Sequence, residues 1–142
     1  MLTYQSSVTI DRAPDIVFPY FAELSKQALW SDVPMRRLTD GPFGAGSRLE
    51  VSFGNGLLKA RIGLEFTRFE PNRGIAWTSF SGPIRWAGEY RLEPAGDGTL
   101  VSQQGTLTFT GLWRLLEPMA GAEIQRGEEK ELEKLKTVVE AA

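Results

Sequence analysis

Tyr90 and Gln103 are the polar side chains best placed to do chemistry inside this chain. Tyr90 falls in the alternating segment 84–93, on the face that also carries Trp86, Gly88 and Leu92. Gln103 falls in 100–109, in line with Val101, Gly105, Leu107 and Phe109. Residues two apart in a strand share a face, so each polar group stands in an apolar row. A phenol can hold or pass a proton, and an amide can orient a hydroxyl or carbonyl; backbone or water could satisfy either group instead. The rest of the inventory narrows the chemistry. The chain has no histidine and no cysteine, hence no Ser-His-Asp or Cys-His nucleophile system, no His-held or thiolate-held metal and no disulfide. Any acid or base must be a displaced carboxylate, lysine or tyrosine, or a hydroxyl polarised by a neighbour.

The elements that would position these groups are mostly strands. Residues 3–10 alternate as a strand, and Pro14 suits the first turn of a following helix. Val17, Tyr20 or Phe21, and Leu24 recur at helical spacing, while Pro19 should interrupt that helix and Ala13 is a poor cap. A second short helical piece is expected over 25–30, and a weak strand over 35–38. In 48–53, Leu49, Val51 and Phe53 share a face. Asn55-Gly56 is a hairpin signal, leading to a strand over 58–69 with Ala60, Ile62, Leu64 and Phe66 inward. The facing of 75–80, which contains Trp77, is not settled by its pattern. The charges Lys59, Arg61, Glu65, Arg85, Glu89 and Arg91 fall on the opposite, wet face.

From Leu112 the period becomes helical, with Leu116, Ala120, Ile124, Gly127, Leu135 and Val138 as one stripe. Around Gly127 this stripe lacks a large apolar side chain. A small residue over a concave sheet leaves volume unfilled, which makes Ile124 to Gly127 the expected cover of a cavity of roughly 300 Å³ or more, the lower end for small-molecule sites. Close packing of helix on strand, or a kink, is the alternative. The run 126–134, RGEEKELEK, reads as a solvated face.

At 142 residues, 42% hydrophobic and 24% charged, the chain is expected to form a single domain, residues 1–142. Its net charge of −2 offers no general attraction for nucleic acid or anionic membrane. No run of roughly 18 apolar residues and no leader pattern is present, so no stable membrane insertion and a cytoplasmic location are expected. The segment 41–47, GPFGAGS, lacks the ending of a phosphate loop and precedes a strand, so it reads as a mobile loop near a cavity mouth. Asp11, Asp15 and Asp32 lack metal-loop spacing. Neither metal nor other cofactor is expected.

Four segments, in this order, carry a resemblance: TIDRAPDIVFPYFAEL after the first strand, ALWSDV at 28–33, the hairpin EYRLEPAGDGTLVSQQ at 89–104, and GLWRLLEPM with LEKLKTVVE at the end. Together they span nearly the whole chain, which resembles the START-like helix-grip superfamily (SRPBCC), in particular its polyketide cyclase/dehydrase and lipid-transport type. Ala13 departs from the Ser or Thr commoner there. The resemblance implies an α+β helix-grip fold, a curved antiparallel sheet wrapped around a long C-terminal helix with two short helices after the first strand. It also implies a cavity between sheet and helix without a shared catalytic triad. Alternation or family position then puts Trp30, Phe53, Trp86, Tyr90 and Phe109 inside, with Trp77 and Met119 as further candidates; Gln103, Ile124 and Gly127 complete the expected ligand-binding set. Each aromatic taken singly could be ordinary core. The expected partner is a small hydrophobic molecule (lipid, polyketide, isoprenoid or quinone-like) that is bound or carried. The alternative is a polyketide cyclase, aromatase or dehydratase in which Tyr90, or an inward Ser, Arg or carboxylate, handles protons. The oligomeric state is not read from these residues.

Overall fold

A computed structural model describes residues 1–54 and 59–142. The Asn55-Gly56 hairpin signal and the first residue of the strand expected at 58–69 lie outside the described residues. Strand β1 (Leu2–Ile10) is followed by three one-turn helices, α1 (Pro14–Val17), α2 (Pro19–Ala22) and α3 (Leu24–Gln27). Pro19 separates α1 from α2 because its ring and missing N–H break the helical ladder, and Ala13 provides no side-chain cap. Six strands follow: β2 (Met35–Arg37), β3 (Arg48–Phe53), β4 (Ala60–Glu70), β5 (Gly74–Ser81), β6 (Ile84–Ala95) and β7 (Gly98–Phe109). A 3-10 turn, Gly111–Leu116, leads into α4 (Glu117–Ala141). At 1.5 Å per residue α4 is about 38 Å long, enough to cross the sheet.

All pairings are antiparallel, in the order β1-β7-β6-β5-β4-β3-β2. Two register shifts in the β4–β5 pair leave one extra residue on each strand, Phe80 on β5 opposite Gly63 and Leu64, and Thr67 on β4 between Phe66 and Arg68; each bends the strand that carries it. The inner face follows the alternation: Leu49 and Val51 of β3, Ile62, Leu64 and Phe66 of β4, and Leu92, Val101 and Leu107 of β6 and β7 are buried. Strand β5, ambiguous in sequence, turns Ile75 and Trp77 inward. The charges expected outside are outside: Arg61, Arg85 and Arg91 are exposed, and Glu65 and Glu89 pair with Arg48 and Arg68 at 2.9 and 2.7 Å. The result is a helix-grip fold.

Helix α4 is gripped unevenly. Its C-terminal half buries Leu132, Leu135 and Val139, whereas no residue from Glu117 to Glu131 is fully buried. Along β1, the free edge of the sheet, polar side chains of α4 take the place of a missing strand. The Gln125 amide accepts from the Gln5 N–H at 3.1 Å and donates to the Gln5 carbonyl at 2.7 Å. Lys136 donates to the Thr9 carbonyl, and Glu140 accepts from the Asp11 N–H. An exposed edge invites pairing with other chains, and this row of side chains blunts it. Among the described residues, no helix is long and apolar enough to cross a membrane.

Candidate functional site

Cross-strand register assembles the floor of the site. One rung of the inner face runs Ser6–Gln103–Tyr90–Ile75 across β1, β7, β6 and β5, and the next runs Tyr4–Gly105–Gly88–Trp77. The paired glycines leave the middle of the second rung without side chains, and the rings of Tyr4 and Trp77 fold into that space from either side. A Cβ on Gly105 would collide with the Tyr4 ring, and one on Gly88 with the Trp77 indole. The Tyr4 hydroxyl is fixed by accepting the Trp86 Nε1–H at 2.9 Å.

Aromatic rings build one wall. Trp77 lies 5.3 Å from Trp86 and 5.1 Å from Tyr90, and Tyr90 lies 4.6 Å from Phe21, centroid to centroid, all within the range of favourable ring contact. These rings, with Leu64, Ile75 and Met35, enclose an apolar cavity of about 40 Å³. Two expectations are corrected here. The cavity is far below 300 Å³, because the rings that were to line it largely fill it. It also lies under α2, α3 and β2, not under Ile124 to Gly127, and no residue of α4 lines it.

The expected set divides accordingly. Trp77, Trp86 and Tyr90 line the cavity. Trp30 stands behind it, fully buried, edge-on to Phe21 and Tyr90, its indole N–H donated to the Tyr20 carbonyl at 2.9 Å. Phe53 packs on Trp86 at 5.4 Å, and Phe109 is buried core. Ile124 is half-buried against the core. Met119 is 70% exposed on the first turn of α4 and faces away from the site. Gly127 is exposed, and a Cβ there would meet nothing within 4 Å; it neither packs closely on a strand nor opens a cavity, because the inward stripe of α4 passes one residue further on. The loop 41–47 is pinned rather than loose: Phe43 is buried edge-on to Phe66 at 5.2 Å, and the Gly46 N–H donates to the Phe66 carbonyl at 2.8 Å.

The sheet-facing stripe of α4 is Ala120, Ile124, Glu128, Glu131, Leu132 and Leu135, so two carboxylates read as solvated are turned inward. Burial pushes Glu128 up to about 8, reinforced by the charge of Glu131 and opposed by the adjacent Gln103 amide. Burial likewise pushes Glu131 up to about 7, while the Asp32 N–H and Ser31 hydroxyl favour its charged form. Ser31 Oγ lies 3.5 Å from Glu131 Oε1. Both phenols of the floor are raised, chiefly by desolvation and then by the charge of Glu128. Gln103, 3% exposed, donates its Nε2–H groups to Ser6 Oγ at 2.9 Å and the Glu128 carbonyl at 3.1 Å. Its Oε1 is buried without a partner, as is the Trp77 indole N–H. Glutamates spaced by one turn within an apolar stripe were the available signal, masked by the lysines around them.

This arrangement can accept or deliver protons near neutral pH beside an aromatic-walled space. Among the described residues, no group of three or more acidic side chains converges on a metal position.

A search of curated proteins finds no match. Solved structures share the fold at low identity. TTHA0849 from Thermus thermophilus superposes with a TM-score of 0.81 at 21% identity, covering 98% of this chain and 97% of that one. CV1439 from Chromobacterium violaceum gives 0.76 at 16%, over 97% and 96%. The Zhui aromatase/cyclase from Streptomyces sp. R1128 gives 0.77 at 15%, over 97% and 93%. The sequence itself carries the assignment: a family model described as polyketide cyclase / dehydrase and lipid transport matches residues 1–140, the strands, short helices and C-terminal helix traced above, and the chain belongs to that family.

Proposed function

We propose that the chain binds a small, largely apolar molecule, with its hydrocarbon against Trp77, Trp86 and Tyr90 and its polar end at Gln103, Glu128 and Glu131. The observation that supports this is an aromatic-walled apolar cavity joined through one of its lining residues to a polar cluster: Tyr90 pairs across strands with Gln103 and feels the charges of Glu128 and Glu131, the usual composition of a small-molecule site. At about 40 Å³ the cavity holds little more than one water, so a ligand must enlarge it. The movable wall is the side made of Phe21, Gln27 and Met35, carried on elements of three or four residues each; the opposite wall is continuous sheet. Lipids, polyketides, isoprenoids and quinone-like compounds share the required shape, and carriage needs nothing further.

The test is titration with a neutral naphthalene fluorophore. Met35→Trp adds bulk to the half-buried rim of the cavity and should weaken binding about tenfold, or about 1.4 kcal/mol, with the unfolding midpoint unchanged. Gly127→Leu, pointing into open space, should leave both unchanged. The reverse pattern would move the site under α4 and overturn this reading.

The inward carboxylates favour a second reading, a cyclase or dehydratase acting on a polyketide-like substrate. In a dehydration, the Glu131 carboxylate would take the proton α to a carbonyl, and the Glu128 carboxylic acid would protonate the departing β-hydroxyl. Water leaves, a C=C bond forms, and proton exchange between the two acids restores the start. Formation of the unsaturated ketone from a β-hydroxy ketone, lost in Glu128→Gln and reduced in Tyr90→Phe, supports catalysis; stoichiometric binding without product supports the carrier.

A further inference from the structure

The polar end of the site is rich in acceptors and lacks a cation. Among the described residues, neither Glu128 nor Glu131 forms an ion pair within 4 Å, although the partly buried glutamates Glu50, Glu89 and Glu117 all do. The groups facing the pair are Tyr4 from β1, Tyr90 from β6, Gln103 from β7, and Ser31 and Asp32 from the segment after α3. Lys134 of α4, whose charge acts on Glu131, is partnered with Asp32 at 3.2 Å at the surface. Both nitrogen-bound hydrogens of the Gln103 amide are spent on Ser6 and the Glu128 carbonyl, while its oxygen, buried in the same place, has no donor. Buried carboxylates are ordinarily paired with a cation or else kept neutral.

We infer that the ligand of this site is an apolar amine, its ammonium group seated among Glu128, Glu131 and Gln103 Oε1 and its hydrocarbon in the cavity lined by Trp77, Trp86 and Tyr90. This rests on the pocket reading above. A primary ammonium supplies three donors and no acceptor, which matches by type the acceptors that Glu128, Glu131 and Gln103 Oε1 present. An alcohol offers one donor, and a ketone none. Tyr90, whose phenol feels the charge of both carboxylates, adds a second source of selectivity, since an aromatic ring attracts a desolvated cation. Burial that moves the titration of both acids up toward neutral pH also predicts how loading is sensed. A cation arriving beside them favours the ionised forms, so at pH 7.5 the amine must expel a proton that a neutral ligand does not.

The experiment compares 2-phenylethylamine with 2-phenylethanol by calorimetry at pH 7.5, in two buffers of different ionisation enthalpy. The amine should bind at least tenfold more tightly and release protons, and the alcohol should release none. Glu128→Gln should erase the preference, bringing the two affinities to within about twofold of each other, and abolish most of the proton release. Should that variant not fold, Glu131→Gln provides the same comparison, and proton release by the unaltered protein stands on its own. Equal affinities without proton release would overturn the amine assignment and leave the pocket standing. Failure of both compounds to bind, together with the naphthalene fluorophore, would remove the pocket as well.

Discussion

The shape of the site depends on side chains that are absent. Gly88 and Gly105 face each other across β6 and β7, and their missing Cβ atoms are what allow Tyr4 and Trp77 to lie flat over the sheet. A glycine inside a strand costs conformational entropy and packing, so the gain must come from the rings it admits. Gly105→Ala puts its methyl into the Tyr4 ring, and overpacking of this kind costs about 1–3 kcal/mol. Urea unfolding should show that loss in the single variant. The double variant Tyr4→Ala with Gly105→Ala should be less damaged than the sum of its parts, because the clash disappears with the ring. Simple additivity would mean that the two residues do not touch. Alternation places Gly105 on the inner face, but Tyr4 acquires its role only from the register Tyr4↔Gly105, which no single strand reveals.

Among the elements, strands were the legible ones and α4 was not. Period-2 alternation identifies the inner residues of β3, β4, β6 and β7 because each is apolar on one side and charged or polar on the other. Strand β5 resists because Trp77 and Phe80 sit on opposite faces; its register with Gly88 decides the matter. In α4 the expected stripe holds at Leu116, Ala120, Ile124, Leu135 and Val138, all of which pack on the core, but it runs through the exposed Gly127 where the true stripe admits Glu128 and Glu131. Glutamate is a strong helix former usually found in water, so nothing in its identity marks the exceptions. The cavity was misplaced for the same reason, together with the filling of its volume by large rings. The polar flank of α4 has its own task at the β1 edge. Gln125→Ala removes both bonds to Gln5 and should cost about 1–2 kcal/mol, at about 1 kcal/mol per bond. Hydrogen exchange of the Gln5 amide should accelerate, while amides of the central strands β5 and β6 keep their protection. Unchanged exchange at Gln5 would mean that water serves that edge equally well.

Across the whole molecule, turning two glutamates toward the sheet makes stability depend on pH in a direction opposite to ordinary acid denaturation. Glu128 and Glu131 titrate above the usual carboxyl value of 4.5, at about 8 and about 7. The folded state therefore holds protons that the unfolded chain gives up. Below pH 4.5 both states are protonated and the pair costs nothing. As pH rises from there toward 8, the unfolded chain ionises first. Stability then falls by up to about 1.4 kcal/mol per pH unit for each of the two groups, levelling above the folded values. Glu89, Glu117 and Glu140 are shifted downward and act the other way, their contribution being lost as pH falls through their folded values. They lie near the surface, where solvent screens them, so the inward pair sets the slope between pH 5 and 8. Thermal unfolding of the protein should show Tm declining across that interval. Glu128→Gln should flatten the decline, matching the parent near pH 4 and exceeding it by a few kcal/mol near pH 9. A difference between the two proteins that is the same at pH 5 and pH 9 would mean that the Glu128 carboxylate stands in water, and the acceptor cluster over Tyr90 and Gln103 would lose its central member.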